Sequence, residues 1–262
     1  VVQDLYLTET AKLAHVVLPA CSFAEKDGTY TNTERRVQRV RAALEPLGQS
    51  QPDWWIVCQI AKRMGGKGFD YSHPQDIMKE IVQLTPSYAG ISYERLEKES
   101  GLQWPCPTPD HPGTPRLHAE KFTRGKGKFS PLEYRPPAEL PDAEYPLMLT
   151  TQRSLFQFHT GTMTRKVPGL NELRPEELVE INPVDAQKLD IVDGEMVKVS
   201  SRRGEVDVHA KVTEASPVGI VAMAFHFVES PTNVLTNSAV DPIAKNPESK
   251  VCAVKIEKNH KS

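Results

Sequence analysis

The cleanest alternation of apolar and polar positions lies in the last third of the chain. Residues 195–201 and 205–214 each run in and out with period two, and Arg202-Arg203-Gly204 separates them. Two such runs joined by a short polar turn predict a β-hairpin. Residues 145–152 and 178–181 predict two more strands, residues 220–227 are nearly continuously apolar and predict a central strand, and residues 251–257 alternate again. Asn182 followed by Pro183, with Asp185 in the first turn, predicts a capped short helix whose positive dipole end meets an acid. About six strands with hairpin and short-helix connections predict a small closed barrel.

The pattern is weaker upstream. Residues 14–19, AHVVLP, form a short apolar run stopped by proline and predict a buried strand at the end of a sheet. Residues 23–41 are dominated by polar and charged side chains and predict a loop. Asp53 is placed to cap a helix reaching about Met64, with Trp54, Ile56, Val57, Ile60 and Ala61 as its apolar face and Gly65-Gly66 as its stop. Residues 76–84 and 93–99 predict short helices, followed by the proline-dense stretches WPCPTPDHPGTP and RPPAELPDAEYP. A structureless segment of that length is unusual inside a compact domain, so it is expected to drape over a larger body. Three regions result: 1–68, partial α/β; 69–144, a proline-rich connector with short helices; and 145–262, the barrel.

Composition narrows the function classes. A net charge of −2 provides no electrostatic case for nucleic acid or an anionic membrane as partner. No apolar run approaches the roughly 18–20 residues that a membrane-spanning helix needs. The four cysteines, Cys21, Cys58, Cys106 and Cys252, include no C-x-x-C pair, so no local zinc or iron–sulfur framework is expected. With no signal peptide read at Val1, the expected location is cytoplasmic. Cys106, His111 and His118 follow a C-x4-H-x6-H spacing, but prolines crowd the stretch and a fourth ligand is not evident, which speaks against zinc. Gly125-Lys126-Gly127-Lys128 lacks the spacing of a phosphate-binding P-loop. His226, inside an apolar run, reads as a hydrogen-bonded core residue rather than a metal ligand.

The densest polar chemistry is TTQRSLFQFHTGTMTR, residues 150–165, where a strand runs into a turn rich in hydroxyls, Gln, His and Arg with no evident nucleophile. By composition alone it is either a polar surface loop or a ligand-holding turn. Together with INPVDAQKLDIVDGEMVKVSSRRGEVDVHAKV, the opening AKLAHVVLPACSFAEKDGTYTNTERRVQ, the middle GLQWPCPTPDHPGTPRLH and the closing FHFVESPTNVLTNSAVDPIAKNPESKVCAVKIE, it resembles the C-terminal portion of molybdenum- or tungsten-dependent formate dehydrogenase catalytic subunits, in the molybdopterin oxidoreductase superfamily.

That resemblance implies a fold and a role. The fold is mixed α/β, with a partial α/β region and a C-terminal six-stranded double-psi β-barrel of the aspartate-decarboxylase-like, molybdopterin dinucleotide-binding kind. The cofactor implied is bis-molybdopterin guanine dinucleotide carrying Mo or W, bound jointly with the rest of the catalytic subunit. The family's iron–sulfur cluster, metal ligand and formate-side His and Arg have no counterpart here, so no catalytic or metal-ligating residue is assigned and the chain alone is expected to be inactive. Implied partners are that remainder and iron–sulfur or flavin electron-transfer subunits. Implied cofactor contacts are Thr151, Arg153, Gln157, His159, Thr160, Gly161, Thr162 and Thr164 in the polar turn. Gly28 and Thr29, read as a turn, are added together with Asn32, Arg35 and Arg36, and so are Asn233, Asn237 and Lys250 near the end. Such a dinucleotide needs backbone donors at tight turns, cations near phosphate, and amides or hydroxyls for heterocycle edges. Two departures stand out: Ser249 where a bulky residue is expected, and Asp190 where the family tends to have Gly, explicable as a left-handed C-cap. The rivals are another enzyme of the superfamily, of nitrate reductase or formylmethanofuran dehydrogenase type, and a non-catalytic double-psi barrel interaction module.

Overall fold

The computed structural model describes residues 1–259, which divide into a unit ending at Ser130 and a second beginning at Pro131.

In the first unit, β1 (Val2–Asp4) and β2 (Val17–Pro19) pair in parallel across the short α1 (Glu9–Lys12), capped where the Thr8 hydroxyl accepts from Ala11 N. The strand expected from AHVVLP is present but not buried: Val16 is 47% and Val17 38% exposed. Parallel strands are normally covered on both faces, and a two-stranded pair covers little by itself. The loop expected at 23–41 is instead a hairpin of β3 (Gly28–Thr31) and β4 (Arg36–Val40), joined by β5 (Leu102–Gln103). Gly28 and Thr29 therefore sit in a strand, and the turn is made by residues 32–35, where Asn32 Oδ1 accepts from Glu34 N (3.1 Å) and Arg36 N (3.0 Å). In β4 only Val37 is buried, so the charged outward positions hid the strand signal.

α2 (Asp53–Arg63) begins as expected except that Pro52 is its cap; Asp53 is the first helical residue and its carboxylate takes Gln3 Nε2 (2.6 Å) and the Lys26 ammonium. Gly65, with φ +81°, ends it. Only part of the expected apolar face is covered: Ile56 and Cys58 are buried, whereas Val57 and Ile60 are exposed. α3 (Pro74–Leu84), capped by His73, and α4 (Tyr93–Lys98) supply Met78 and Leu96 to a core with Val37, Ile91, Leu102 and Cys106. Residues 69–130 are thus built into this unit. Its proline-dense stretch is ordered by two arginines: Arg35 donates to the carbonyls of Trp104, Thr114 and Pro115, and Arg95 to those of Gly90 and His111.

The second unit is a closed barrel. β6 (Leu147–Thr151), then α5 (Pro168–Leu173), β7 (Leu178–Ile181), α6 (Pro183–Lys188), β8 (Met196–Ser200), β9 (Glu205–Val212), β10 (Ile220–Met223) and β11 (Cys252–Lys258) follow along the chain. Around the barrel the order is β10-β6-β11-β8-β9-β7, with β7 closing back on β10. The β6/β10 and β7/β9 pairs are parallel and the others antiparallel, giving the six-stranded mixed barrel expected. Closure leaves no strand edge unpaired. Leu149, Val179, Ile181, Val197, Val199, Val221 and Val254 are all fully buried in its core. Asn182 caps α6 by accepting from Val184 N (2.9 Å), and Asp190 takes the left-handed conformation at φ +54°.

The strand expected over 220–227 stops at Met223, although Ala224, His226 and Phe227 remain buried. The backbone of Ala224 leaves the ladder because side chains satisfy it: Glu177 Oε1 accepts its N–H at 2.9 Å and the Thr232 hydroxyl donates to its carbonyl.

Candidate functional site

β6 and β10 run side by side, with Thr151 in register with Met223, so the segments that follow them leave the barrel together. Gln152 N continues the contact by donating to Met223 O (2.8 Å). The polar turn 152–166 therefore lies against 224–229.

The inner half of the turn is occupied by its own chemistry. Gln157 is buried; its Oε1 accepts from the Thr164 hydroxyl (2.7 Å) and its Nε2 donates to Asn171 Oδ1 (3.4 Å) and Arg174 O (3.3 Å). Thr164 Oγ1 in turn accepts from Phe158 N (3.1 Å). The buried Thr151 hydroxyl donates to Ser249 O (2.9 Å), and the Lys250 ammonium donates to Thr151 O. Asn237 bridges backbone, donating to Val251 O (2.7 Å) and accepting from Ala239 N (2.8 Å). Five of the implied contact residues, Thr151, Gln157, Thr164, Asn237 and Lys250, thus have polar groups engaged within the protein.

The outer half is open. Arg153, His159, Thr160 and Thr162 are exposed, with the Thr160 and Thr162 hydroxyl oxygens 2.9 Å apart. The Arg153 guanidinium lies over the Phe225 ring, 5.4 Å from its centre, with no carboxylate partner among the described residues. Gly161 takes φ +72° beneath them; a Cβ there would stand 2.8 Å from His226 O, so only Gly fits. Asn233 is exposed in the 3-10 turn that follows. A cluster of a guanidinium, an imidazole, paired hydroxyls and a tight glycine turn is a donor set suited to phosphate oxygens and heterocycle edges.

A contrasting cavity of about 530 Å³ is lined by Asn237, Arg202 and Arg203. Its cations are already neutralised: Glu139 pairs with both arginines and Asp142 with Arg202. The same pairing holds the Glu139 carboxyl below its usual range despite the opposing effect of burial.

In the first unit, Gly28 and Thr29 line a cavity of about 250 Å³ with Lys26, Asp53, Trp54 and Tyr93. Asn32, Arg35 and Arg36 hold the hairpin turn and its neighbours; Arg36 pairs with Glu34 (2.9 Å), and Arg35 itself sits at φ +66°. Cys106 is buried with its sulfur against Arg95 Nη1 (3.5 Å) and His111 O (3.4 Å), and His118 packs on Phe122.

Three residues that shape the polar turn carry no functional signal in the sequence. Arg165 forms a two-pronged pair with Glu229 (2.8 and 3.1 Å) over the face of Phe227. That pair lowers the Glu229 carboxyl below its usual range. Glu177, 2% exposed, accepts from Ala224 N and Leu178 N on one oxygen, and its other oxygen has no hydrogen-bond partner. Burial pushes its carboxyl up. Its place beside Glu176 in a charge-rich run concealed it.

Residues 147–253 match the molydopterin dinucleotide binding domain, and residues 1–63 match molybdopterin oxidoreductase. The chain is 54% identical over 261 residues to the F420-dependent formate dehydrogenase subunit alpha of Methanocaldococcus jannaschii, covering 98% of this chain and 39% of that protein. It is 40% identical to the assimilatory nitrate reductase catalytic subunit of Bacillus subtilis, covering 97% of this chain and 37% of that protein. The chain thus spans about two-fifths of the length of these relatives. Acetylene hydratase from Pelobacter acetylenicus shares the fold, at a TM-score of 0.75 and 20% identity over 98% of this chain and 40% of that one. With a dinucleotide-binding barrel and an oxidoreductase segment in one polypeptide, the chain belongs to the molybdopterin oxidoreductases.

Proposed function

We propose that this chain is the cofactor-holding C-terminal part of a formate dehydrogenase catalytic subunit. The observation that carries this reading is the 54% identity to a formate dehydrogenase alpha subunit, maintained along nearly the whole chain. The cofactor is bis-molybdopterin guanine dinucleotide with Mo or W, held jointly with the rest of the subunit. When bound, it supplies the two-electron centre that interconverts formate and carbon dioxide.

This chain's contribution is binding and orientation. Arg153 sets a cation against a pyrophosphate, with Thr160, Thr162, the Gly161 backbone and His159 as further donors. Asn233 offers an amide to a pterin or guanine edge. Thr151, Gln157, Thr164, Asn237 and Lys250 act from behind by fixing the turn, and Gly28, Thr29, Asn32, Arg35 and Arg36 form a second contributing segment. Formate chemistry needs groups supplied by the remainder of the subunit, so the chain alone is inactive. Among the described residues no helix is long and apolar enough to cross a membrane. We place the enzyme in the cytoplasm, with iron–sulfur or flavin subunits carrying its electrons and with F420 as acceptor, the last because the relative is named F420-dependent. The nitrate reductase reading is second, carried by a relative of lower identity.

The test uses the intact enzyme purified anaerobically. Arg153→Ala combined with Thr162→Ala is expected to lower pterin and metal content, and the unsubstituted enzyme should reduce its acceptor with formate and leave nitrate untouched. Wild-type pterin and metal in the variant would overturn the assignment of the turn; nitrate turnover without formate oxidation would favour the second reading.

A further inference from the structure

The segment 225–229 faces the polar turn residue by residue. Phe225 lies under Arg153, Phe227 under Arg165, and Glu229 pairs with Arg165 in two prongs. Between the two aromatics, His226 is 1% exposed and uses both ring nitrogens on turn backbone. Ser154 N–H donates to Nε2 at 3.0 Å, and Nδ1 bonds His159 O. A carbonyl only accepts, so Nδ1 carries the hydrogen and Nε2 is bare: the ring is the neutral Nδ1–H tautomer. His159 is itself held at φ +48°, a conformation costly for a residue with a side chain unless its surroundings impose it. His226 O, on the same residue, stands against Gly161. One side chain therefore grips the turn at two places, where it leaves β6 and at its left-handed corner, while the backbone of the same residue leaves room only for glycine at 161.

We propose that His226 is a positioning residue for cofactor binding, holding the Arg153-to-Thr162 turn in its ligand-ready shape before any ligand arrives. The proposal rests on the assignment of that turn to the cofactor. Being 1% exposed, it would act through the turn backbone rather than on the ligand itself. Its effect is to remove the ordering cost that a loose turn would impose on binding. Neither phenylalanine nor leucine could do this, since either fills space without gripping backbone. The amides divide the two bonds. Asparagine reaches about as far as Nδ1 and can keep the donor to His159 O; glutamine reaches about as far as Nε2 and can keep the acceptor for Ser154 N–H.

The test has a cofactor-free and a cofactor-loaded arm. In the full 262-residue chain, amide hydrogen exchange of residues 154–161 is compared among wild type, H226L, H226N and H226Q. Loss of one ordinary hydrogen bond corresponds to about tenfold faster exchange in the affected turn. The expected result is fast exchange across the turn in H226L, with Ser154 protection returning in H226Q and corner protection returning in H226N, while amides of β6 and β8 stay as in wild type. Nitrogen NMR of the wild-type ring should show Nδ1 protonated and Nε2 bare. In the intact enzyme, H226L should lower pterin content and H226Q should restore part of it. If H226L does not fold, the ring-nitrogen signature and the H226N/H226Q contrast still decide the matter. Wild-type turn protection and pterin content in H226L, or an Nε2–H ring in the wild type, would overturn the proposal. If R153A loses cofactor while the His226 variants keep it, the positioning role fails and the turn assignment stands. If R153A and H226L both keep it, the turn assignment itself fails.

Discussion

Glu177 shows how one side chain can work against the fold and still be required by it. Its carboxyl is buried at the point where Ala224 leaves the barrel, and among the described residues only Arg174, at 3.7 Å, offers a countercharge. Burial raises its pKa, so the unfolded chain releases this proton at a lower pH than the folded one does. Across that interval the unfolded state is favoured as pH rises, and below it the group costs the fold nothing. Glu177→Gln keeps an acceptor for the Ala224 and Leu178 amides and never ionises. Its stability relative to wild type should therefore increase as pH rises above the ordinary carboxylate range, from about pH 4 upward, measured by urea unfolding. Glu177→Ala leaves two amides without their acceptor and should cost roughly 1–3 kcal/mol throughout. A Gln-minus-wild-type difference that is flat with pH would show that the carboxyl titrates normally. Nothing in the sequence marks Glu177, because burial is decided by Ala224 and Arg174, and Ala224 lies 47 residues away. His226 was legible as a core residue from its apolar neighbours, but its two backbone partners, 67 and 72 residues away, were not. The polar turn was legible as a cluster of donors. Which donors face inward was not, because a turn has no period to read.

At the scale of elements, short-range chemistry was readable and long-range pairing was not. The Asn182-Pro183-Asp185 start lies where expected, since cap, proline and acid all act within one turn. Asn182 does more than cap: its Nδ2 donates to Ser216 O at 2.8 Å, tying α6 to the loop before β10. Asn182→Ala should thus exceed the usual cap loss of about 1 kcal/mol, reaching roughly 2 kcal/mol by chemical denaturation, whereas Asn182→Asp, which retains only the cap, should recover about half. Equal stability of the Asp and Ala variants would assign the whole effect to the Ser216 bond. The hairpin of β3 and β4 is illegible in the sequence for the opposite reason. Its β4 strand is mostly polar, with Gln38 exposed and Arg36 and Arg39 half-buried, and its one buried apolar residue, Val37, packs on a core drawn from residues 78–106. The apolar run outlasts β10 because continuous apolarity reports burial, and burial persists after the ladder stops.

At the scale of the whole molecule, the two units have cores that share no residue. The barrel core is a continuous set of Val, Leu and Ile enclosed by a closed hydrogen-bond ladder, so each strand supports two neighbours. The first unit is built from short strands and helices around a smaller core, and leaves Leu13 (86%), Val57 (54%) and Met64 (82%) exposed. The barrel was legible because its strands carry their own alternation. The first unit's extent was not, because proline density announces a loop without revealing that Arg35 and Arg95 fasten it into the fold. Less apolar burial means less stabilisation at roughly 25 cal/mol per Å². Heating the 262-residue chain should therefore remove amide protection in α2, α3 and α4 before β6, β8 and β11. Leu149→Ala, which empties a fully buried position in β6, should lower the barrel's stability by about 2–5 kcal/mol and leave the earlier transition in place. Coincident loss of protection in both units, shifted together by Leu149→Ala, would instead make the chain one cooperative body. The barrel could then no longer be treated as a self-sufficient scaffold for the turn it carries.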